Sequence, residues 1–520
     1  MRSSRSLARL SMLLAGLVVA GSSVAATALV SAQDPGSLTR DLDAILNNPG
    51  LAGSDVGVVV RAADTGEVLY RRGGVDRQQP ASNAKLVTSA AALEILGPDY
   101  RFSTAVATPG TIRGPVLRGD LYLKGTGDPT MLAADYDALA ATVAGSGIRL
   151  VTGNLVADDT WFDGVRLASG WAWGDEPFYY NAQVSALTAA PDTDFDAGSV
   201  IINVTPGTPG QPVRVTTTPP TDAVTIANTA TTGAPGSGSS IVVDRDHFTG
   251  TFTVTGAMAA DASPDQEFMA TWDVTGYATS LFRAALTAHG VRVLGPTTRG
   301  ATPGGAATLA ARQSIPLSQL LVPFLKLSNN LHAEILVKAM GRARSNVGSW
   351  DAGIAAIKTV LPGLGVDPAR LFLVDGSGLS RMDHIAPDQL TALLIAARGK
   401  PWFQTWFAAL PVAGIADRLV GGTLRSRMRN TAAAGNVHAK TGSFTGASAL
   451  SGYVTAADGR PLVFSMISNN NVGVSVRPIE DAVAVRLAGD TAAVADARVA
   501  TIAPGDRRAE LEWCAVKDCR

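Results

Sequence analysis

The sequence predicts an α/β protein whose main body is an antiparallel sheet with a helical block, built from both chain ends and split by inserted domains, one small and β-rich. Three observations carry this. Asp55–Arg72, "DVGVVVRAADTGEVLYRR", alternates and turns at "DTGE", as a hairpin does. Helical patterning dominates from about Leu317 to Phe407. Near the other end, "GNVHAKTGSF", "ASALSGYVTAADGRPLVFSMISN" and "VRPIEDAVAVRLAG" read as a strand, a hairpin turning at Asp458-Gly459, and a closing helix. A hairpin, a helical block and a returning hairpin place both ends of the chain in one sheet.

At the N-terminus, Arg2, Arg5 and Arg9 precede the apolar run "LSMLLAGLVVA" and then small residues up to "VSAQD". That order reads as a secretory signal over 1–32, cut after Ala32, and implies an exported, extracytoplasmic protein. The alternative is an uncleaved anchor and peripheral membrane association, since no charge occurs between Arg9 and Asp34. The main body is expected over 33–104 and 285–490. Between them, 105–197 and 256–284 alternate strands and helices around "LYLKGTGDPT", "GNLVADDTWFDG" and "FYYNAQVSAL", an inserted α/β domain. Residues 198–255, rich in Val, Thr, Gly and Pro, read as the small β-rich module. In the tail, 491–520, Cys514 and Cys519 suit either a small disulfide loop or two free thiols.

Composition narrows the function. The 520 residues are 46% hydrophobic and 17% charged, enough apolar content for large cores. The 43 basic and 44 acidic residues nearly cancel, and no Lys/Arg block exists, so nothing points to nucleic acid. No H-E-x-x-H and no zinc-like Cys or His spacing occurs, so neither metal nor cofactor is expected.

The chemistry lies in "QQPASNAKLVTSAAALEIL". Lys85 is the one charge between Gln78 and Leu93, on a helix otherwise suited to burial. Positions i and i+3 share a helix face, about 5–6 Å apart at Cβ, so Lys85 reaches back to Ser82. Burial lowers a lysine's pKa and makes it a general base able to activate a serine hydroxyl. On this tetrapeptide alone, a lysine snorkelling from a helix end is the better explanation. Two further elements change that balance: Ser328-Asn329-Asn330 ahead of a helix, and Lys440-Thr441-Gly442 on a strand. S-x-x-K, S-x-N and K-T-G in this order form the motif set of penicillin-binding proteins and class A β-lactamases, with S-N-N here in place of S-D-N.

On these motifs the chain resembles the penicillin-binding D-alanyl-D-alanine carboxypeptidases/endopeptidases of the low-molecular-mass class C type, the peptidase S13 family. "YLKGTGDPT", "GNLVADDTWFD", "DEPFYYNAQVSALT" and "DGSGLSR" extend the resemblance over nearly all of the chain after the signal. It implies a serine transpeptidase/β-lactamase-like domain, peptidoglycan stem peptides as substrate and β-lactam antibiotics as acylating inhibitors. By the same resemblance Ser82 is acylated, Lys85 is its base, and Ser328 with Lys440 relays a proton to the leaving amine. Asn330 would bond the substrate peptide; Thr441 and Ser443, beside Gly442, would hold its terminal carboxylate. The N–H groups of Ser82 and Ser443 would form the oxyanion hole.

Three rivals have distinct signatures. A Ser-His-Asp hydrolase is disfavoured because no G-x-S-x-G occurs and the five histidines lie in unrelated contexts; His332 and His438, beside the motifs, suit packing or hydrogen bonding. A β-lactamase needs a deacylating glutamate between the second and third motifs, where only Glu334 is found, outside the expected pattern. An idle cell-wall binding protein would have no need of the buried lysine. Finally, "GWAWGDEPFYY" packs five aromatics and two carboxylates together. Trp171, Trp173 and Asp175 suit an aliphatic side chain ending in an ammonium, such as a diaminopimelyl group. Alternatively the segment is an aromatic plug seating the insert on the main body.

Overall fold

In the computed structural model, which describes residues 35–489 and 498–502, strands Asp55–Ala62 and Val68–Arg72 pair antiparallel as their alternation requires. The first strand continues onto Pro461–Asn469, which pairs with Ala447–Thr455, which pairs with His438–Phe444. The result is one five-stranded antiparallel sheet made from both ends of the chain. Its central strand is buried on both faces. Phe464 and Met466 join Leu38, Leu42 and Val483, from helices Pro35–Leu46 and Arg477–Leu487; Val463 and Ile467 join the helical block.

Two helices form the centre of that block. Ala84–Ile95 is buried from Ala84 through Leu93, and Asn330–Ser345 from Asn330 through Gly341. Alanines on both let the backbones approach. Asn329 caps the second helix by accepting from His332 N, and Asn346, at φ 60°, ends it in the left-handed conformation common to helix C-termini.

Between Ile95 and Leu317 lie the inserts. One carries a five-stranded and a four-stranded sheet with helices Ala133–Gly145 and Val274–Ala288; the other consists of short strands between Ser199 and Ala270. Strand pairing crosses two of the expected boundaries. Thr297–Arg299 and Ala307–Gln313, expected in the main body, pair with Leu155–Asp158 and Ser103–Thr108 of the α/β insert. Ala257–Ala259 and Asp265–Ala270, expected in the α/β insert, pair with Thr231–Gly233 and Ser199–Thr205 of the β-rich one. These strands are short, and their partners lie far away in sequence, so local periodicity carries no information about which sheet they join.

The signal segment and Cys514 and Cys519 lie outside the described residues. Of the tail, Ala500–Thr501 pairs with Val474–Ser475. No helix among the described residues is long and apolar enough to cross a membrane.

Candidate active site

Ser82 sits in a single 3-10 turn, Ala81–Asn83, that runs into helix Ala84–Ile95, so it precedes the α-helix proper. Ala81 holds φ 45°, a left-handed conformation that a non-glycine residue adopts at a cost. Two glycines press on this turn. A Cβ on Gly442 would lie 2.8 Å from Pro80 O and 2.9 Å from Ser82 N; one on Gly378 would lie 1.8 Å from Ala81 O. Only glycine permits either approach, and together they fix the Ser82 backbone between the Lys440 strand and the loop Asp375–Gly378.

Behind the turn, Lys85 is fully buried. Its Nζ lies 2.6 Å from Ser82 Oγ and donates to Asn330 Oδ1 at 2.7 Å and to Ser377 O at 3.1 Å. A neutral amine has two N–H bonds and one lone pair. Two carbonyl acceptors take the N–H bonds, and the lone pair is left facing the serine hydroxyl. Burial, and then the positive charge of Lys440, hold the Lys85 pKa well below its ordinary value, favouring that neutral form.

The other motifs converge on the same place. Ser328, at φ 57°, turns its hydroxyl to Lys440 Nζ at 2.8 Å. Lys440 also donates to Thr441 O at 2.8 Å, and Thr441 Oγ1 donates to Thr423 Oγ1 at 2.7 Å. Arg477 Nη2 donates to Ser443 Oγ at 3.2 Å. Ser82, Ser328 and Ser443 are half-buried, whereas Lys85, Lys440, Thr441 and Gly442 are buried behind them. Hydroxyls therefore line the opening, and cations stand behind.

Asn330 has a task inside the protein as well. Its Oδ1 accepts from Lys85, and its Nδ2 donates to Tyr180 O at 2.8 Å. The amide fixes Lys85 and ties it to the segment Trp171–Tyr180.

The structure adds residues the motifs do not contain. Glu334 is fully buried, and its carboxylate accepts from Trp350 Nε1 at 2.7 Å, Gly376 N at 3.0 Å and Ser377 N at 2.8 Å. It thereby fixes the backbone N–H of Ser377, the residue whose carbonyl holds Lys85. Asp375 braces the same loop, accepting from Gly378 N and Ser380 N, each at 2.7 Å, and from Trp171 Nε1 at 2.8 Å. "DGSGLSR" was visible as part of the resemblance, but nothing local marks it as the floor under Lys85. His332, buried with Nε2 2.9 Å from Phe195 O, is pushed down to about 3 by burial; His438, stacked on Phe407 at 4.3 Å, is pushed down to about 4. Asp192, Asp194 and Asp196 cluster nearby; Arg418 forks onto Asp194, and Asn329 Nδ2 donates to Asp196 at 2.9 Å.

Burial and the charge of Asp375 raise Glu334 from 4.5 to about 7, against the lowering effect of its three donors. The folded protein therefore holds this proton more tightly than the unfolded chain. The resulting stability is fully present below 4.5 and is lost as pH rises through about 7. The thermal midpoint of the wild type is expected to fall more between about pH 5 and about pH 8 than that of Glu334→Gln, which has no proton to lose. Equal slopes would contradict this.

The aromatic segment meets the site at both its ends. Trp171 packs edge-on to Trp350 at 6.2 Å besides bonding Asp375. Tyr180, whose carbonyl holds Asn330, donates its hydroxyl to Asp175 Oδ1 at 3.1 Å. Trp173 instead packs at a tilt on His247 of the β-rich module, with ring centroids 4.3 Å apart. Asp175 and Trp171 are thus one side chain removed from the partners of Lys85, and Trp173 reaches across to the insert.

Comparison with known proteins agrees with this geometry. The model of the D-Ala-D-Ala carboxypeptidase 3 (S13) family matches residues 38–489. The D-alanyl-D-alanine carboxypeptidase of Actinomadura sp. (strain R39) is 49% identical over 457 residues, covering 87% of this chain and 84% of that protein. DacB of Haemophilus influenzae is 27% identical over 427 residues, 80% of this chain and 86% of that one. The crystal structure of penicillin binding protein 4 (dacB) from Haemophilus influenzae matches with a TM-score of 0.72 at 25% identity, over 85% of this chain and 94% of that one. With the three motifs gathered around one serine and a family match spanning nearly all of the described residues, this chain belongs to the D-Ala-D-Ala carboxypeptidase (S13) family.

Proposed function

We propose that this protein is a serine-type D-Ala-D-Ala carboxypeptidase/endopeptidase that trims peptidoglycan stem peptides outside the cytoplasmic membrane and is acylated by penicillins. The observation that carries the reading is the buried Lys85, held by two carbonyls with its Nζ 2.6 Å from Ser82 Oγ. Lys85 takes the hydroxyl proton as Ser82 Oγ bonds the carbonyl carbon of the penultimate D-alanine. The N–H groups of Ser82 and Ser443 stabilise the oxyanion. Collapse breaks the C–N bond, and Ser328, beside Lys440, passes a proton to the departing amine. Thr441, Gly442 and Ser443 hold the terminal carboxylate, with the cation of Arg477 behind Ser443. Water then hydrolyses the ester and regenerates Ser82. The direct test is release of D-alanine from a peptide ending in D-Ala-D-Ala, with no release by Ser82→Ala; equal release by both proteins would overturn the reading.

A β-lactamase mechanism has no support from Glu334. That carboxylate is buried beneath Ser377 with three donors on it, so it is not placed to activate water at the acyl ester.

Substrate choice follows from the aromatic segment. Asp175 is the acceptor for the ammonium of a diaminopimelyl side chain, Trp171 forms the inner apolar wall and Trp173 the outer one. Asp175→Asn is expected to lower kcat/KM about tenfold or more for peptides with the free amine, since a charge-assisted hydrogen bond is lost, and to spare acetylated peptides. Equal slowing of both would mean that the segment only seats the insert.

A further inference from the structure

Among the exposed large hydrophobic side chains of the described residues, only Trp173, Phe248 and Phe372 are aromatic, and the first two touch. Trp173 is 61% exposed and Phe248 54%, with ring centroids 4.9 Å apart. Trp272 extends the cluster, 5.2 Å from Phe248. Single exposed hydrophobics are ordinary, whereas a contiguous cluster marks a contact surface.

The backbone and the support beneath it single out the same spot. Phe248 lies in the turn joining strands Val242–Arg245 and Thr251–Thr255 and holds φ 62°. Glycine or asparagine suits that conformation far better than a bulky ring, so both the residue type and its exposure work against stability there. Below the turn, buried Glu176 pairs with buried Arg245 and with His247 Nδ1 at 2.7 Å. Arg245 in turn donates to Thr249 O at 2.9 Å and to Glu176 O at 3.0 Å. This ionic bracket locks the aromatic pair in place, and it belongs to the segment whose ends hold Asp375 and Asn330. The cluster is therefore tied, through one continuous segment, to the residues that hold Lys85.

We infer that Phe248, braced from behind by Trp173 and Trp272, forms a stacking platform for a sugar ring of the glycan strand that carries the stem peptide; the inference rests on the stem-peptide reading given above. A pyranose presents a face of C–H bonds that packs on the electron-rich face of an aromatic ring, while its hydroxyl rim stays hydrated. The surroundings match that demand, since Asp244, Asp246 and Thr249 are exposed around the rings. A protein partner fits less well. Two rings in a polar setting fall far short of the roughly 1,200–2,000 Å² that stable protein interfaces bury.

The test uses the full chain and Phe248→Asn, which removes the ring and accepts the left-handed backbone. Two substrates are compared: a pentapeptide ending in D-Ala-D-Ala, and the same peptide on a short glycan oligomer. Phe248→Asn is expected to lower kcat/KM for the glycan-borne peptide about five- to tenfold, chiefly through KM, and to leave the free peptide unchanged. Phe248→Tyr, which keeps a ring, is expected to retain wild-type selectivity. An equal effect on both substrates, or none on either, would overturn the platform. Co-sedimentation with glycan strands stripped of peptide reads the platform without catalysis: retention by the wild type and loss by Phe248→Asn support it, and equal or absent retention overturns it. If the wild type cleaves neither substrate, the peptidase reading fails while sedimentation still decides the platform.

Discussion

Lys85→Arg is expected to abolish acylation of Ser82, with a fall of about 10⁴-fold or more in peptide turnover. A positioned general base contributes roughly 10²–10⁴, and nucleophile and base that act as a unit are lost together. A guanidinium has no accessible neutral form, so it has no lone pair to offer the serine hydroxyl. It is also too large for a position with no solvent access and two fixed carbonyl neighbours. Ser82→Ala removes the attacking oxygen and should be equally silent. Labelling with a fluorescent penicillin and release of D-alanine read both variants, and a thermal midpoint separates lost chemistry from lost fold. Normal labelling of either variant would remove Ser82 and Lys85 from their roles.

Gly442→Ala is expected to have the next largest effect, although it adds one methyl group to a strand. The new Cβ would meet Pro80 O at 2.8 Å and Ser82 N at 2.9 Å, distances that Cβ atoms do not tolerate against backbone. The Lys440 strand must then retreat from the Ser82 turn. That separates the two N–H groups assigned to the oxyanion hole, those of Ser82 and Ser443. Loss of one aligned oxyanion donor costs about 10²–10³ in kcat. The drop should appear in acylation, with a smaller change in stability, because the sheet pairing to Ala447–Thr455 can shift as a body. A variant with normal acylation would mean that the close approach of strand and turn serves packing alone.

How much of this was legible depends on how local each feature is. The hairpin at Asp55–Arg72 and the one turning at Asp458-Gly459 follow from period-two alternation and turn residues, and both formed. Ser82 and Lys85 were legible because three positions along one helical turn fix their separation before any tertiary contact exists. Ser328 and Lys440 needed only their motifs. Glu334, Asp375 and Ser377 were not legible as a unit, because a buried carboxylate beneath a loop has no period and its partners come from separate elements. The second task of Asn330 belongs with these, since its partners Lys85 and Tyr180 lie far from it in sequence. The sheet membership of Ala307–Gln313 was hidden likewise: the strand is legible, its partner is not.

The central claim is that Ser82 with Lys85 forms an acyl-enzyme and that no dedicated base clears a bulky one. With a peptide, the amine product diffuses away and water can reach the ester. With a penicillin, the expelled amine remains tethered in the adduct and blocks that approach. The one glutamate between the second and third motifs, Glu334, is engaged beneath Ser377. The decisive measurement is intact mass against time after mixing the protein with benzylpenicillin, followed by peptide mapping. The expected result is a one-to-one adduct on Ser82 that decays slowly and is absent from Ser82→Ala. Rapid, repeated turnover with no accumulating adduct, or an adduct that survives in Ser82→Ala, would contradict it.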